Sequence, residues 1–478
     1  MKLIYDVFDK PGRKENILFA FQQMIAIMAA TLLVPMIISS YGLPADPAAA
    51  LFGAGAGSLV YIFFTKRKSP VFLGSSFTFL GCYAASVGAG YGYWGVILGV
   101  VIAGLVYVVF AMIIKAVGSA WVNRLMPAVV AGPIVTLIGL SLSGTATSWM
   151  MGNGGDGYSL LWILVGLVTF LIIVYCSVKG NKNMKLFPFI YGIGGGYIFA
   201  LILSLIGNAT GAEVLQIMDF SGFKEAFCPF TFASILSIPK FFFLQGIQTQ
   251  GQYTAVNTSA AIINLLLIYA PIAVVELAQH VGDHKNLSNI IGKDLITDPG
   301  LDKTLLGDGI GSAVGALFGG CANTTYGESI GCVAITKNAS TYTIATAAYG
   351  CLIVAFFTPF VVVINSIPKC VMGGACLALY GLIAVSGLQL LSKVDLGDNR
   401  NLFTTSAILV SGIGGLTFNF GHNAATGGAL ISLTSLAAAL VVGLITFKLA
   451  GSHVDEAQNE GSAPAGAVGP MKDVDMDK

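Results

Sequence analysis

GGCANTTYGESIGCVAITK, residues 319–337, is a glycine-flanked run of small and polar residues between strongly apolar segments, and it carries one carboxylate, Glu328. An ionisable side chain at membrane depth costs roughly 2.5–3.5 kcal/mol on insertion scales. Chains keep such groups mainly where they line a pathway or meet something polar. The run therefore points to a polar ligand handled inside a membrane.

The flanking composition agrees. Of 478 residues, 55% are hydrophobic and 10% charged, with mean hydropathy +0.82; soluble domains carry about 25% charged residues. This is the profile of an all-α polytopic membrane protein. The net charge of +1 says little by itself, so its distribution carries the topology. Eight cysteines lie singly, mostly in apolar runs and without a C-x-x-C pair, and read as small packing residues. No P-loop, zinc-ligand cluster, nucleotide fingerprint or Ser-His-Asp arrangement is visible, so no enzyme, cofactor, metal or nucleic-acid role is implied. Met1–Glu15 is polar without a small-residue cleavage site, and no signal peptide is expected.

Apolar stretches long enough to cross about 30 Å of hydrocarbon begin near residues 17, 49, 95, 126, 160, 187, 259, 303, 342, 369, 401 and 425. Two shorter, broken candidates, roughly 70–85 and 320–337, bring the total to fourteen spans. With the N-terminus inside, 21 of the 24 Lys and Arg fall in inner loops and tails; only Lys224, Lys240 and Lys369 fall outside. That is the positive-inside pattern. Dropping either broken span would reverse every later loop, so both count as membrane elements.

The broken spans stand third and tenth, equivalent places in two halves of seven. Seven is odd, so the halves take opposite orientations. Paired, glycine-interrupted short segments in corresponding positions are the best sequence pointer to a transporter's binding site. The breaks are Leu73-Gly74-Ser75-Ser76-Phe77 and Asn323-Thr324-Thr325-Tyr326-Gly327. Freed backbone N–H groups and helix N-termini there can face a polar ligand. Glycine runs such as 53–57 and 194–196 are a packing signal that allows close helix approach in lipid.

Few other ionisable residues lie inside the spans. In 275–284, which ends the eighth span, Glu276, Gln279, His280 and Asp283 share one helix face by their i, i+3, i+4, i+7 spacing. That face is available to look toward Glu328. His284 reads as a solvated marker of the inner boundary. Glu328 reads as functional, since nothing near it in sequence neutralises it, and intramembrane carboxylates often couple transport to protons.

Gly74-Ser-Ser-Phe77, Gln279-His-Val-Gly-Asp283-His, Lys293-Asp-Leu with Asp298-Pro-Gly300-Leu-Asp302, Asn323-Thr-Thr-Tyr-Gly-Glu328 and Val371-Met-Gly-Gly374 together resemble the nucleobase–ascorbate transporter family, over residues 15 to 450. Within it they are most similar to its bacterial uracil–proton symporters. The resemblance implies fourteen spans as two inverted seven-span repeats, with short antiparallel strands in the discontinuous third and tenth. It implies a core domain from 15–118 (spans 1–4) and 259–366 (spans 8–11), and a gate domain from 126–207 (spans 5–7) and 369–448 (spans 12–14). An extracellular connection, 208–258, joins the halves; its 235–244 stretch is apolar enough for the membrane surface. The 451–478 tail is expected to be disordered and cytoplasmic.

Carried over by position, the resemblance places Phe77, Gln279, Tyr326, Gly327, Glu328 and Tyr380 around a nucleobase, with Glu328 bonding a base N–H and Tyr380 closing the site from the gate side. It assigns proton coupling to Glu328 and Asp283. It implies a homodimer in a bacterial inner membrane, with both termini cytoplasmic and core sliding against gate. Three departures stand out. Gln279 replaces a glutamate, Ser329 follows Glu328 where asparagine is usual, and 235–258 is longer than its counterpart. The first two keep a purine permease (xanthine or urate) open as an alternative. An anion exchanger or channel on the same architecture is a more distant one, since such sites favour a positive field.

Overall fold

A computed structural model describes residues 3–118, 121, 127–152, 157–181, 184–185, 187–256, 258–420 and 431–450. It is mostly helical. Helices α1 (Arg13–Ser40) and α2 (Pro47–Phe64) lead to a three-residue strand, β1 (Leu73–Ser75), and a short helix, α3 (Leu80–Gly88). Then come α4 (Gly92–Val117), α5 (Ala128–Met151), α6 (Leu160–Val178) and α7 (Pro188–Thr210). The connection holds α8 (Ser221–Phe227) and α9 (Phe242–Gln248). The second half runs through α10 (Ser259–Ile291), α11 (Leu301–Gly319), β2 (Asn323–Thr325), α12 (Gly327–Thr336) and α13 (Thr341–Val354). It closes with α14 (Thr358–Asn365), α15 (Lys369–Leu391), α16 (Asn399–Ile413), the strand pair β3 (Phe418–Phe420) and β4 (Ile431–Leu433), and α17 (Ser435–Leu449).

Among the described residues, eight helices are long and apolar enough to cross a membrane: α1, α2, α4, α5, α6, α7, α10 and α15. On α6 and α7, Leu164, Leu171, Val178, Ile198, Ile202 and Leu205 point outward and are exposed. Helices this apolar with a bare apolar face are stable against lipid rather than water. The chain is a multi-pass membrane protein.

Packing follows a repeated scheme. Helix α1 packs on α13 and α10 on α4; α2 packs on α13 and α11 on α4; α2 and α11 cross each other. Elsewhere α15 packs on α6 and α5 on α16, α6 on α7 and α16 on α17, while α5 and α15 pair directly. Exchanging the halves (α1 with α10, α2 with α11, α4 with α13, α5 with α15, α6 with α16, α7 with α17) maps each of these contacts onto another of the set. The α2–α11 crossing is glycine to glycine. A Cβ on Gly57 would lie 2.7 Å from the Gly311 carbonyl oxygen, and one on Gly53 2.8 Å from that of Gly315.

At each break the backbone leaves helical geometry and finds its partner in the other half. Strands β1 and β2 are antiparallel, Leu73 opposite Thr325 and Ser75 opposite Asn323. The pairing satisfies backbone groups that no water reaches at this depth. Ser58 of α2 completes the edge, accepting from the Leu73 N–H at 2.9 Å and donating to its carbonyl.

The N-terminal segment is stitched to the second half. Ile4 N–H donates to the Lys337 carbonyl (2.8 Å), Thr341 N–H to that of Val7 (3.0 Å), and Lys293 pairs with Asp6 at 2.6 Å. The hydrogen bond from Lys293 holds the Asp6 carboxyl below the usual carboxylate range. Lys68 pairs with Asp298 at 2.6 Å. Basic groups that the sequence assigns to separate inner loops thus gather with the N-terminus on one face.

Two expectations change. The eighth span does not end within 275–284: α10 continues to Ile291 and is capped by Gly292 in the left-handed region (φ +70°). His284 is therefore buried, 1% exposed, beneath Tyr61 rather than at a solvated boundary. The last span starts later than 425, because β4 occupies the approach and Thr434 caps α17 at Ser435; residues 421–430 and the 451–478 tail lie outside the described residues. The 235–258 stretch folds back on helix ends. Phe241 packs edge-on against Phe52 and Phe318, Phe242 is buried, and Thr254 N–H donates to the Gly90 carbonyl, while Ile235, Leu236, Ile238 and Leu244 stay exposed, an apolar surface of the kind expected for 235–244.

Candidate functional site

The strand pair positions the site from both halves. After β1, Ser76 N–H donates to the Ala322 carbonyl (2.8 Å), and the chain passes through Phe77 before α3 begins at Leu80. After β2, Tyr326 ends the extended run, and α12 begins at Gly327 with Glu328 in its first turn. A helix N-terminus offers free N–H groups and a favourable field for a negative or hydrogen-bond-accepting atom. The Tyr326 hydroxyl donates to the Ser75 carbonyl at 2.7 Å, tying one break to the other. Gly74 makes room for this: a Cβ there would overlap the Tyr326 ring.

Of the six expected ligand residues, Phe77, Tyr326 and Tyr380 are buried, while Gln279, Gly327 and Glu328 stay partly accessible. Tyr380, from α15, meets Phe77 edge-to-face with ring centroids 6.0 Å apart, so the two packing groups touch at this point. Its hydroxyl has no hydrogen-bond partner among the described residues. No hydrogen bond among them joins Gln279 to Glu328.

Asp283 sits with its Oδ2 accepting from the Thr325 hydroxyl at 2.8 Å, one residue from Tyr326. Its charge environment includes Glu276, Glu328 and Asp308. Four carboxylates from α10, α11 and α12 therefore share one neighbourhood. His280 was expected on this face; Asp308 and His284 were not foreseen in it. His280 Nδ1 is 2.5 Å from Asp308 Oδ2 and its Nε2 3.0 Å from Thr304 Oγ1. His284 Nδ1 donates to the His280 carbonyl (2.8 Å), which leaves Nε2 to accept from Tyr61, 2.6 Å away. The signal for Asp308 was present: a lone acid in an apolar glycine-rich run, the same criterion that singled out Glu328.

Ser329 also has a local reason. Its hydroxyl accepts from the Phe72 N–H at 2.9 Å and from the Gln23 side chain. The departure from the usual asparagine thus anchors α12 to the start of β1 and to α1. Chemically, the arrangement offers an accessible carboxylate at a helix start, an aromatic pair and strand-edge backbone. That set can grip a small planar ligand carrying N–H and C=O groups.

A family model described as "Permease family" matches residues 14–420. The uracil permease of Bacillus caldolyticus is 37% identical over 449 residues, 93% of this chain and 94% of that one. The uracil permease of Bacillus subtilis is 33% identical over 450 residues, again 93% and 94%. Among solved structures, the transmembrane domain of the cyanobacterium bicarbonate transporter BicA aligns with a TM-score of 0.57 at 14% identity, covering 92% of this chain and all of that domain. That likeness is one of fold.

Proposed function

As this chain belongs to the permease family of nucleobase–ascorbate transporters, we propose that it imports uracil by proton symport. It is a transporter and not an enzyme. The observation that carries the reading is the paired break: two strands from opposite halves, with Phe77 against Tyr380 and Glu328 at the start of α12. Uracil presents alternating C=O and N–H groups along one edge. Backbone at Phe77 and Gly327 answers the carbonyls, Glu328 accepts from an N–H, and the Phe77, Tyr326 and Tyr380 rings enclose the flat faces. Gln279 can pair with either kind of group. Relatives named uracil permease across nearly the whole chain support this base over others.

In this reading Glu328 takes a proton from outside and releases it inside, with Asp283 assisting through Thr325. The contact scheme that survives exchange of the halves supports two inverted repeats. It also supports a core (15–118 and 259–366) that slides against a gate (126–207 and 369–448). We place the chain as a homodimer in a bacterial inner membrane with both termini cytoplasmic, and the 208–258 connection outside. The purine alternative loses one of its two reasons, because Ser329 has a structural partner set.

The test is uptake of labelled uracil into proteoliposomes holding the purified chain, under an imposed inward proton gradient. Uracil should accumulate, excess xanthine should not compete, and Glu328→Gln should abolish accumulation. Accumulation unchanged in Glu328→Gln would overturn the coupling role, and strong competition by xanthine would move the substrate to purines.

A further inference from the structure

Residues 3–9 precede α1 of the first half, yet they bond along 337–341, the turn that joins α12 to α13 of the second. The Ile4 and Tyr5 N–H groups both donate to the Lys337 carbonyl, and the Tyr5 carbonyl accepts from Ala339 N–H at 2.9 Å. The Val7 carbonyl accepts from both the N–H and the hydroxyl of Thr341. Tyr5 and Asn338 thereby pair as in a parallel sheet. The Ser340 hydroxyl continues the series, donating to the Asp9 carbonyl at 2.6 Å. Lys337 ends α12 in the left-handed region (φ +56°). A non-glycine residue stays there only where its surroundings fix it.

Side chains secure the same segment. Val7 is 1% exposed and shares one buried apolar cluster with Leu73 of β1, Leu287 and Ile291 of α10, and Ile330 and Val333 of α12. Lys293, just beyond α10, pairs with Asp6 at 2.6 Å and lies over the Phe8 ring, 5.7 Å from its centroid. The Tyr5 hydroxyl donates to Glu15 of α1. The ion pair is half exposed and worth little alone. The buried valine and the backbone bonds do most of the holding.

What this grip reaches is α12. That helix has ten residues, about 15 Å at the usual rise per residue, and moves as one short rod. Glu328 stands in its first turn and Lys337 directly follows its last. Ser329 fixes the near end to Phe72 and Gln23; residues 3–9 fix the far end and the flank. We propose that residues 3–9 are a positioning clasp, with Val7 as its wedge and Asp6–Lys293 as its outer fastening, which sets the tilt of α12 and so the place of Glu328 against the base. The inference rests on the transport reading above and adds to it residues that act on the substrate only through α12.

The test is exchange of labelled uracil at equal pH on both sides of proteoliposomes of the full chain, read as KM and as Vmax per folded transporter. Val7→Asp puts a carboxylate into the apolar cluster and should drive the segment off. KM should rise at least about fivefold while Vmax stays within about twofold, the signature of lost binding rather than lost turnover. Lys293→Asp should raise KM by about threefold, the scale of one exposed ion pair. Adding Asp6→Lys to it should restore the wild-type value, a rescue that general loosening of the fold does not show. Lys293→Asp also carries the test if Val7→Asp does not fold. A wild-type KM in either folded variant overturns the proposal, whatever happens to Vmax, as does a KM that the charge swap fails to restore. Absence of uracil exchange in the wild type removes the transport reading instead.

Discussion

Ser329 serves three segments through one hydroxyl: α12, which it belongs to, the Phe72 N–H ahead of β1, and Gln23 of α1. Removing it strands the buried Phe72 N–H, worth about 1–3 kcal/mol when left unsatisfied, and leaves Gln23 only its longer bond to the Ser329 carbonyl, 3.3 Å. Ser329→Ala should therefore lower the thermal unfolding midpoint in detergent. Exchange and proton-driven uptake should fall together, in proportion to folded protein. An unchanged midpoint would show that the hydroxyl does not hold the break. His284 teaches the complementary lesson. Its position after an apolar run reads as a membrane boundary, and only the overlying Tyr61, 223 residues away in sequence, makes it an interior residue.

Helix α2 approaches α11 at backbone distance because neither side has a Cβ at the crossing. Gly57→Ala would set a methyl group 2.7 Å from the Gly311 carbonyl and close to the Asn323 amide, so the helices must separate and take β2 with them. The expected outcome is loss of monodisperse protein on size-exclusion chromatography. Gly331→Ala on α12 meets nothing within 4 Å and is the control. It should match or exceed the wild type, because alanine gains up to about 1 kcal/mol over glycine in a helix. Sequence alone marks the 53–57 glycines as a close-approach stripe. It does not name the partner helix, since glycine carries no side chain by which a complement could be recognised.

Cys228 is the exposed cysteine of the chain; the other seven are buried. With the 208–258 connection outside, a membrane-impermeant maleimide added to intact cells should label wild type and not Cys228→Ser. Labelling only after lysis would invert the proposed orientation. Composition, hydropathy and charge asymmetry by themselves determined that this is a polytopic membrane transporter and located its two polar breaks, because lipid penalises every misplaced polar group and so writes topology into one-dimensional patterns. NTTYGE carried the family for the same reason: polar residues are costly at that depth and stand out against the apolar background. The tertiary structure decided which groups share an interior. It drew Asp308 and His280 together from separate helices, set Thr325 against Asp283, and buried His284 beneath α2. Those meetings depend on helix crossings and on where α10 stops. No local pattern encodes them, because the partners lie tens to hundreds of residues apart and meet only when both halves fold around the Gly74–Thr324 pair that opens the site.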